Sequence, residues 1–524
     1  MHKPTHLVLT LLSLVSLTGL PAPRSGVATA CASVPAPAVP GAHVLSVTGV
    51  ERPAGPAGVP GRPPIPDVPA RCEVTVLLTH PGANDRVEVQ VWLPSSGWNG
   101  RFLGTGGGGF ATGFSAEGVA PAVKGGFAAA ATDGGIGINP VSPEAWALDA
   151  RGRVNWGLLT NFGSRSVHDM TVVGKAVTAS FYGRAATYSY WNGCSTGGRQ
   201  GLAEAQLHPE DYDGIVASVP AIEMPRFSMA QFWPQVVMNQ ERTFPTACEF
   251  DAFTSAAVRA CDSLDGVVNG VIGDPRQCRF DPALLVGTKI LCGGEELTIS
   301  AATAEVVRRI WEGPRGWSGQ LGAGLVKGGS FSALAGTVTR PDGSTVGAPL
   351  PIAENWVKYF VRRDPGMDTT KITYAEFERL VWQSTATYDH VLANTGPDLS
   401  AFRAAGGKMI TWHGLADSEI APDTTIGYRD RVERAMGGAA RADEFHRLFL
   451  APGTGHCGSG VGTEPVDPLA AVVAWVERGQ APDILPAASR DAKVTRNLCR
   501  YPLVSTYDGH GDPDSAASFR CAAP

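Results

Sequence analysis

The chain has 524 residues, 44% hydrophobic and 18% charged, with 43 Lys and Arg against 49 Asp and Glu for a formal charge of −6. This balance lacks the basic footprint of a nucleic-acid binder, and an ordinary apolar fraction with 12 Trp, 19 Phe and 10 Tyr spread along the chain excludes a disordered protein. A chain of this length buries a core without covalent help, so its 10 Cys ask for another explanation.

At the N-terminus Lys3 precedes an apolar run over residues 7–20, and Ala28-Thr29-Ala30 offers the small residues of a cleavage site; together they predict a secretory signal over residues 1–30. The run is short for a membrane anchor and is followed by Pro21 and Pro23. Lipid attachment through Cys31 is the lesser alternative, because Ala28 stands where a Leu-like residue is expected. The expectation is therefore a secreted protein with no membrane segment in its mature form, in which disulfides are the default use of an even Cys count. Residues 33–71, rich in Pro, Gly and Ala, predict an extended arm bracketed by Cys31 and Cys72. Strands follow over 73–78 and 87–93; in the second, Val87, Val89 and Val91 alternate with Glu88 and Gln90, as at a half-buried antiparallel edge. Apolar runs over 127–131, 187–191, 214–219, 408–412 and 447–450 predict buried parallel strands, and helical patterns cover 167–182, 198–207 and 468–478. Strand and helix alternate at both ends of the chain, which predicts an α/β open sheet built from residues 31–220 and 395–524. Residues 221–394 hold scattered helices, Gly-rich turns and Trp233, Trp311, Trp317, Trp356 and Trp382 without that alternation. Their flanks are apolar strands rather than polar hinges, so this stretch reads as a large insertion between two sheet strands.

The strongest chemical signal is Gly193-Cys194-Ser195-Thr196-Gly197, between a β-prone run and an Ala/Leu/Glu/Gln helix. A serine on a tight strand-to-helix turn needs small neighbours, stands exposed at the helix N-terminus, and aims the amide of the next residue, Thr196, at a developing oxyanion. A serine hydroxyl also needs a base, and the hydrolase order supplies an acid and then a histidine further along. Asp417 sits in the loop after the strand predicted over 408–412, and His456 ends the Gly-rich loop after the strand over 447–450. The expected roles are Ser195 as nucleophile, His456 as general base and then acid, and Asp417 as the group that orients and stabilises the imidazolium. His413 is the rival base, disfavoured because it precedes Asp417. The glycine-rich segment 101–110 offers the second oxyanion donor, assigned to Gly109; a phosphate-binding role is disfavoured because no Lys-Ser/Thr follows. Residues 261–274, closed by Cys278, pack oxygen ligands into a turn-rich segment without EF-hand spacing. Composition leaves two readings open, a Ca²⁺ loop or an acidic surface loop stapled by Cys261 and Cys278.

The run Gly193-Cys194-Ser195-Thr196-Gly197-Gly198-Arg199, with His413-Gly414-Leu415-Ala416-Asp417 and Gly455-His456-Cys457, resembles the tannase and feruloyl esterase family of secreted serine esterases. A Cys directly before the Ser and another directly after the His is an unusual signature, and the likeness extends from around Cys72 to the C-terminus. The resemblance implies an α/β-hydrolase fold with the insertion as a lid over the active site, and hydrolysis of hydroxycinnamic or gallic esters, small aromatic substrates, through an acyl-enzyme. It implies a Cys194–Cys457 disulfide, which would restrain the nucleophile–base distance on which proton transfer depends. It also implies a structural Ca²⁺, with ligands matching Asp262, Asp265, the carbonyls of Val267 and Val271, and residue 269, usually Asp in the family and here Asn269. The family includes an enzyme cleaving the monoester released from poly(ethylene terephthalate), in which a lid Arg recognises a free carboxylate. Glu354 falls near that position, which argues against the same substrate, with Arg362 and Arg363 close by. For the other cysteines the expected pairs are Cys31 with Cys72, Cys261 with Cys278 and Cys499 with Cys521, leaving Cys248 and Cys292 to each other. Rival readings are esterases for other aromatic or polyester-derived monoesters, a calcium-dependent binding protein on an inactive hydrolase scaffold, and a serine peptidase.

Overall fold

Alternating valines found the sheet. In the computed structural model, which describes residues 29–58 and 63–523, Val74, Val76 and Leu78 are buried on one face of a strand, and Val87, Val89 and Val91 do the same on the next. The signal expected over residues 1–30 lies, but for Thr29 and Ala30, outside the described residues. The central sheet comprises β1 (His43–Arg52), β2 (Arg71–Thr79), β3 (Val87–Pro94), β4 (Arg101–Thr105), β5 (Ala128–Thr132), β6 (Tyr188–Cys194), β7 (Gly214–Ser218), β8 (Lys408–Gly414) and β9 (His446–Ala451). Their spatial order is β1-β2-β3-β5-β4-β6-β7-β8-β9. From β1 to β5 neighbouring strands run antiparallel, and from β5 to β9 they run parallel. This is the α/β-hydrolase fold.

Two expectations fail at the antiparallel end. The strand of Val87, Val89 and Val91 is not an edge, since β3 lies between β2 and β5; the alternation reflects an antiparallel strand with differently packed faces. The edge is β1, inside the stretch read as an extended arm. Residues 43–52 contain no Pro and are β-prone, and the surrounding Pro and Ala masked them. The Cys31–Cys72 disulfide ties the preceding segment to β2, and Gly49 must lack a side chain because an added Cβ would lie 1.9 Å from the Cys31 carbonyl oxygen. That bond also uses the sulfur that lipid attachment would require.

The principal helices are α1 (Ser115–Lys124), α2 (Ser166–Tyr182), α3 (Thr196–Leu207), α4 (Met224–Glu241), α5 (Ala247–Cys261), α6 (Ala301–Glu312), α7 (Tyr374–Leu392), α8 (Pro422–Met436) and α9 (Pro468–Arg478). Strand alternation separates the layers. Ala128 and Ala130 face a core shared with α2, α3 and α8, while Ala129 and Ala131 face one shared with α1 and α9.

Helices α4 to α7 lie between β7 and β8 and have a core of their own, containing Phe232, Trp233, Phe253, Ile310, Trp356 and Phe377. That core continues into the sheet half through Phe110, Trp146 and Phe162, with Phe110 packed on all three of Trp146, Phe162 and Phe360. Cys248–Cys292 and Cys261–Cys278 brace the insertion, and Cys499–Cys521 closes the C-terminal hairpin region. Among the described residues no helix is long and apolar enough to cross a membrane.

Candidate active site

Ser195 sits between β6 and α3 with φ 61° and ψ −120°, a conformation that L side chains rarely adopt. Close packing makes this turn possible: a Cβ added at Gly193 would lie 2.6 Å from the Gly197 backbone. The turn is pinned to the next strand by the Ser195 amide, which donates to the Ser218 carbonyl at 3.1 Å.

His456 and Ser195 line one cavity of about 1060 Å³. The disulfide between Cys194 and Cys457, with Cα atoms 6.1 Å apart, joins the residue before the serine to the residue after the histidine. His456 Nδ1 lies 2.9 Å from Asp417 Oδ2. A carboxylate only accepts, so Nδ1 carries the hydrogen and Nε2 is left as the basic nitrogen. The other carboxylate oxygen, Oδ1, accepts from the amides of Glu419 (2.8 Å) and Ile420 (2.9 Å), which fixes the orientation of the buried acid.

Burial opposes the charge of Asp417, but His456 and His413 outweigh it and hold this carboxyl well below the usual carboxylate range. Burial likewise opposes a charged His456; Asp417, and then Glu419 with its carboxylate 3.9 Å from Nε2, more than compensate and raise the imidazole above its ordinary value. His413 is no rival. It is fully buried, with Nδ1 2.8 Å from the Thr425 hydroxyl and Nε2 3.0 Å from the Ile420 carbonyl, so both nitrogens are engaged away from the serine.

Thr196 and Gly109 both line the cavity beside Ser195. The Thr196 hydroxyl donates to the Gly109 carbonyl at 2.8 Å, and the Gly197 amide donates to the Gly107 carbonyl at 3.0 Å. Gly109 has φ +54°, and an added Cβ would lie 2.1 Å from the Pro140 carbonyl oxygen. Gln200, buried on α3, clamps the same loop: its Oε1 accepts from the Gly107 amide at 3.1 Å and its Nε2 donates to the Thr112 carbonyl at 2.9 Å. Arg199, also buried, donates to the carbonyls of Phe162 and Gly163 and to Asn394 Oδ1, tying the end of the insertion to the elbow helix. Both residues stand in the elbow motif, yet nothing in the sequence shows their distant partners.

The insertion supplies Met224, Phe227, Ser228, Gln231 and Ile352 to the cavity wall. None of the five tryptophans considered above lines it; Trp233 and Trp356 are core, and Trp317 is 90% exposed. Glu354 also lies elsewhere, accepting from the Thr369 hydroxyl at 2.8 Å and paired with Lys358 at 2.9 Å. Arg362 faces Glu376, and Arg363 borders a separate cavity. The carboxylate beside the base is instead Glu419, whose position two residues after Asp417 is the only sequence signal for it.

In the loop read as a calcium site, Asp262 is buried and receives the amides of Asn269 (3.0 Å) and Gly270 (2.8 Å). Burial and the neighbouring Asp262 raise the Asp265 carboxyl above its ordinary value. A Cβ at Gly273 would lie 2.6 Å from Asp265 Oδ2, so the glycine keeps a hollow open beside that carboxylate. Asn269 Oδ1 is turned inward, accepting from the Val271 amide at 3.1 Å. The two carboxylates and the amide oxygen are the oxygen-only donor chemistry that would suit a hard cation. His168, His208 and Asp211 also cluster, but the imidazoles stack at 3.7 Å with planes 9° apart, and a metal cannot lie in both ring planes.

The sheet order and a strained serine above its parallel strands define the class as an α/β-hydrolase. The chain belongs to the tannase and feruloyl esterase family, whose profile ("Tannase and feruloyl esterase") matches residues 72–522, and it is a carboxylic-ester hydrolase. It is 47% identical over 502 residues to a "Probable feruloyl esterase" of Arthroderma benhamiae, covering 94% of this chain and 93% of that one. It is 32% identical over 532 residues to a "Mono(2-hydroxyethyl) terephthalate hydrolase" of Piscinibacter sakaiensis, covering 87% and 85%. The solved tannin acyl hydrolase from Aspergillus niger superposes with a TM-score of 0.83 at 26% identity, covering 93% of this chain and 92% of that one.

Proposed function

We propose that the protein is a secreted esterase that cleaves hydroxycinnamic or gallic esters, with Ser195 as nucleophile, His456 as base and then acid, and Asp417 as the orienting acid. The observation that carries this reading is the joining of Ser195 and His456 in one cavity, braced by Cys194–Cys457, with His456 Nδ1 held on Asp417. Nε2 takes the serine proton as Ser195 attacks the ester carbonyl, and returns it to the leaving alcohol. Water repeats the cycle on the acyl-enzyme. The amides of Thr196 and Gly109 receive the oxyanion, with Gln200 holding the glycine loop in place.

Phe227 and Ile352 present apolar surface for an aromatic acid, and Gln231 and Glu419 present acceptors for phenolic hydroxyls. A carboxylate beside the base favours neutral esters over monoesters bearing a free carboxylate, unlike a site built around a cation. Five disulfides among the described residues support export. Asp262, Asp265, Asn269 and the carbonyls of Val267 and Val271 would hold a Ca²⁺ that would order the insertion where Val271 lies against Gly453 of the histidine loop. Replacing Ser195→Ala should lower kcat on methyl ferulate or methyl gallate by about 10⁴-fold or more with the fold intact; retained turnover overturns the assignment.

A further inference from the structure

His456 has a second carboxylate beside it, next to the nitrogen that carries out the proton transfer. Asp417 holds Nδ1, whereas Glu419 Oε2 lies 3.9 Å from Nε2. The backbone of Glu419 is fixed from both halves of the molecule: its amide donates to Asp417 Oδ1 at 2.8 Å, and its carbonyl accepts from Gln231 Nε2 of α4 at 2.9 Å. Its side chain is 33% exposed, and among the described residues no Lys or Arg pairs with it.

The other charges lining the cavity leave that one uncompensated. Arg101 is bonded to both carboxylate oxygens of Glu477, at 2.6 and 2.7 Å. Arg478 ends α9, about 16 Å of helix away from Asp467 at its start. Asp467 caps α9 and Glu117 lies in the first turn of α1, so both remaining charges are negative. A cleft of this sign attracts cations.

Position selects the limb of the ester that meets Glu419. Nε2 returns its proton to the leaving oxygen, which must come within about 3 Å of it. Leaving oxygen and carboxylate are then neighbours of one nitrogen, no more than about 7 Å apart. A positive charge two carbons beyond that oxygen can swing inside the same radius, which is within one Debye length, about 8 Å in physiological salt. Hydroxycinnamic and gallic acids bring no positive charge of their own, and a phenolic hydroxyl bonded to Glu419 leaves its charge in place.

Resting on the esterase reading above, we infer that Glu419 is a specificity-determining residue that selects aromatic esters of a cationic alcohol, with an ammonium nitrogen two carbons from the ester oxygen. The test is kcat/KM for two esters of one hydroxycinnamic acid: the choline ester, and its neutral isostere in which a quaternary carbon replaces the nitrogen. The two have the same shape and differ by one charge. Their ratio is measured in the wild type and in Glu419→Gln, which keeps the size of the side chain and the backbone bonds. Comparing ratios cancels the different intrinsic reactivities of the esters and their common dependence on His456. The choline-to-isostere ratio should exceed one in the wild type and fall about tenfold in Glu419→Gln. A wild-type ratio below one, a ratio unchanged in the folded variant, or a fall seen only in Glu117→Gln or Asp467→Asn overturns the inference while leaving the esterase reading standing. Absence of methyl ester hydrolysis by the wild-type protein overturns both.

Discussion

The sheet half and the inserted half meet at one cavity but contribute to it on different physical terms. Ser195, Asp417 and His456 all follow the C-terminal ends of parallel strands, β6, β8 and β9, where hydrogen-bonded neighbours on both sides hold the backbone or, at β9, one neighbour and the Cys194–Cys457 bond. The insertion contributes side chains such as Phe227, Gln231 and Ile352 from helices organised around a core that continues into the sheet half through Phe110 and Phe162. Such a division lets the reacting groups stay fixed while the wall that meets the acid can change, because a helix face tolerates substitution more easily than a strained turn does.

The sharpest way to break this comparison is to damage each half and compare kcat. Asp417→Asn should lower kcat by about 10³–10⁴-fold, since the amide admits the wrong imidazole tautomer. Phe227→Ala in the insertion should act mainly on KM; an equal loss of kcat there would erase the distinction. Replacing Cys194 and Cys457 together by Ala tests whether the covalent brace serves catalysis. Turnover should fall by up to about 100-fold, more than affinity, because small misplacements of base and nucleophile are costly; an unchanged kcat in the folded variant removes the brace from the mechanism.

Glu419→Gln probes the boundary between the halves. His456 must be neutral to act, and Asp417 and Glu419 raise its pKa, so activity should rise with pH through a value above that of a free imidazole. With Glu419 neutralised, the acid limb should move to lower pH, and kcat/KM for an ester bearing a free carboxylate should gain about tenfold relative to its neutral methyl ester. Asp417, His413, Glu117, Asp467, Arg101 and Arg478 are the other charged or titratable groups near the base or along the cavity, and their contributions stay constant in this comparison. The smallest effect belongs to calcium. Chelation should lower the melting temperature by about 1 °C for each kcal/mol of lost binding. Calorimetric titration of the chelated protein showing no calcium uptake would refute the site.

Much of this was legible in the chain. The serine elbow is written in contiguous residues, because a strained turn demands glycines at fixed offsets, and the acid and histidine follow buried strands whose apolar runs mark them. The sheet was legible wherever periodicity was strong, and failed at β1, where flanking Pro and Ala hid a short β-prone run, and at β4, whose five residues were read together with the glycine-rich loop that follows them. By itself the sequence determined that Ser195, Asp417 and His456 each follow a strand, in that order. Tertiary structure alone decided that Glu419 rather than Glu354 faces His456, and that Gln200 clamps the glycine loop. Local turn and strand rules act between near neighbours. The shape and charge of a cavity come from groups hundreds of residues apart, which only packing brings together.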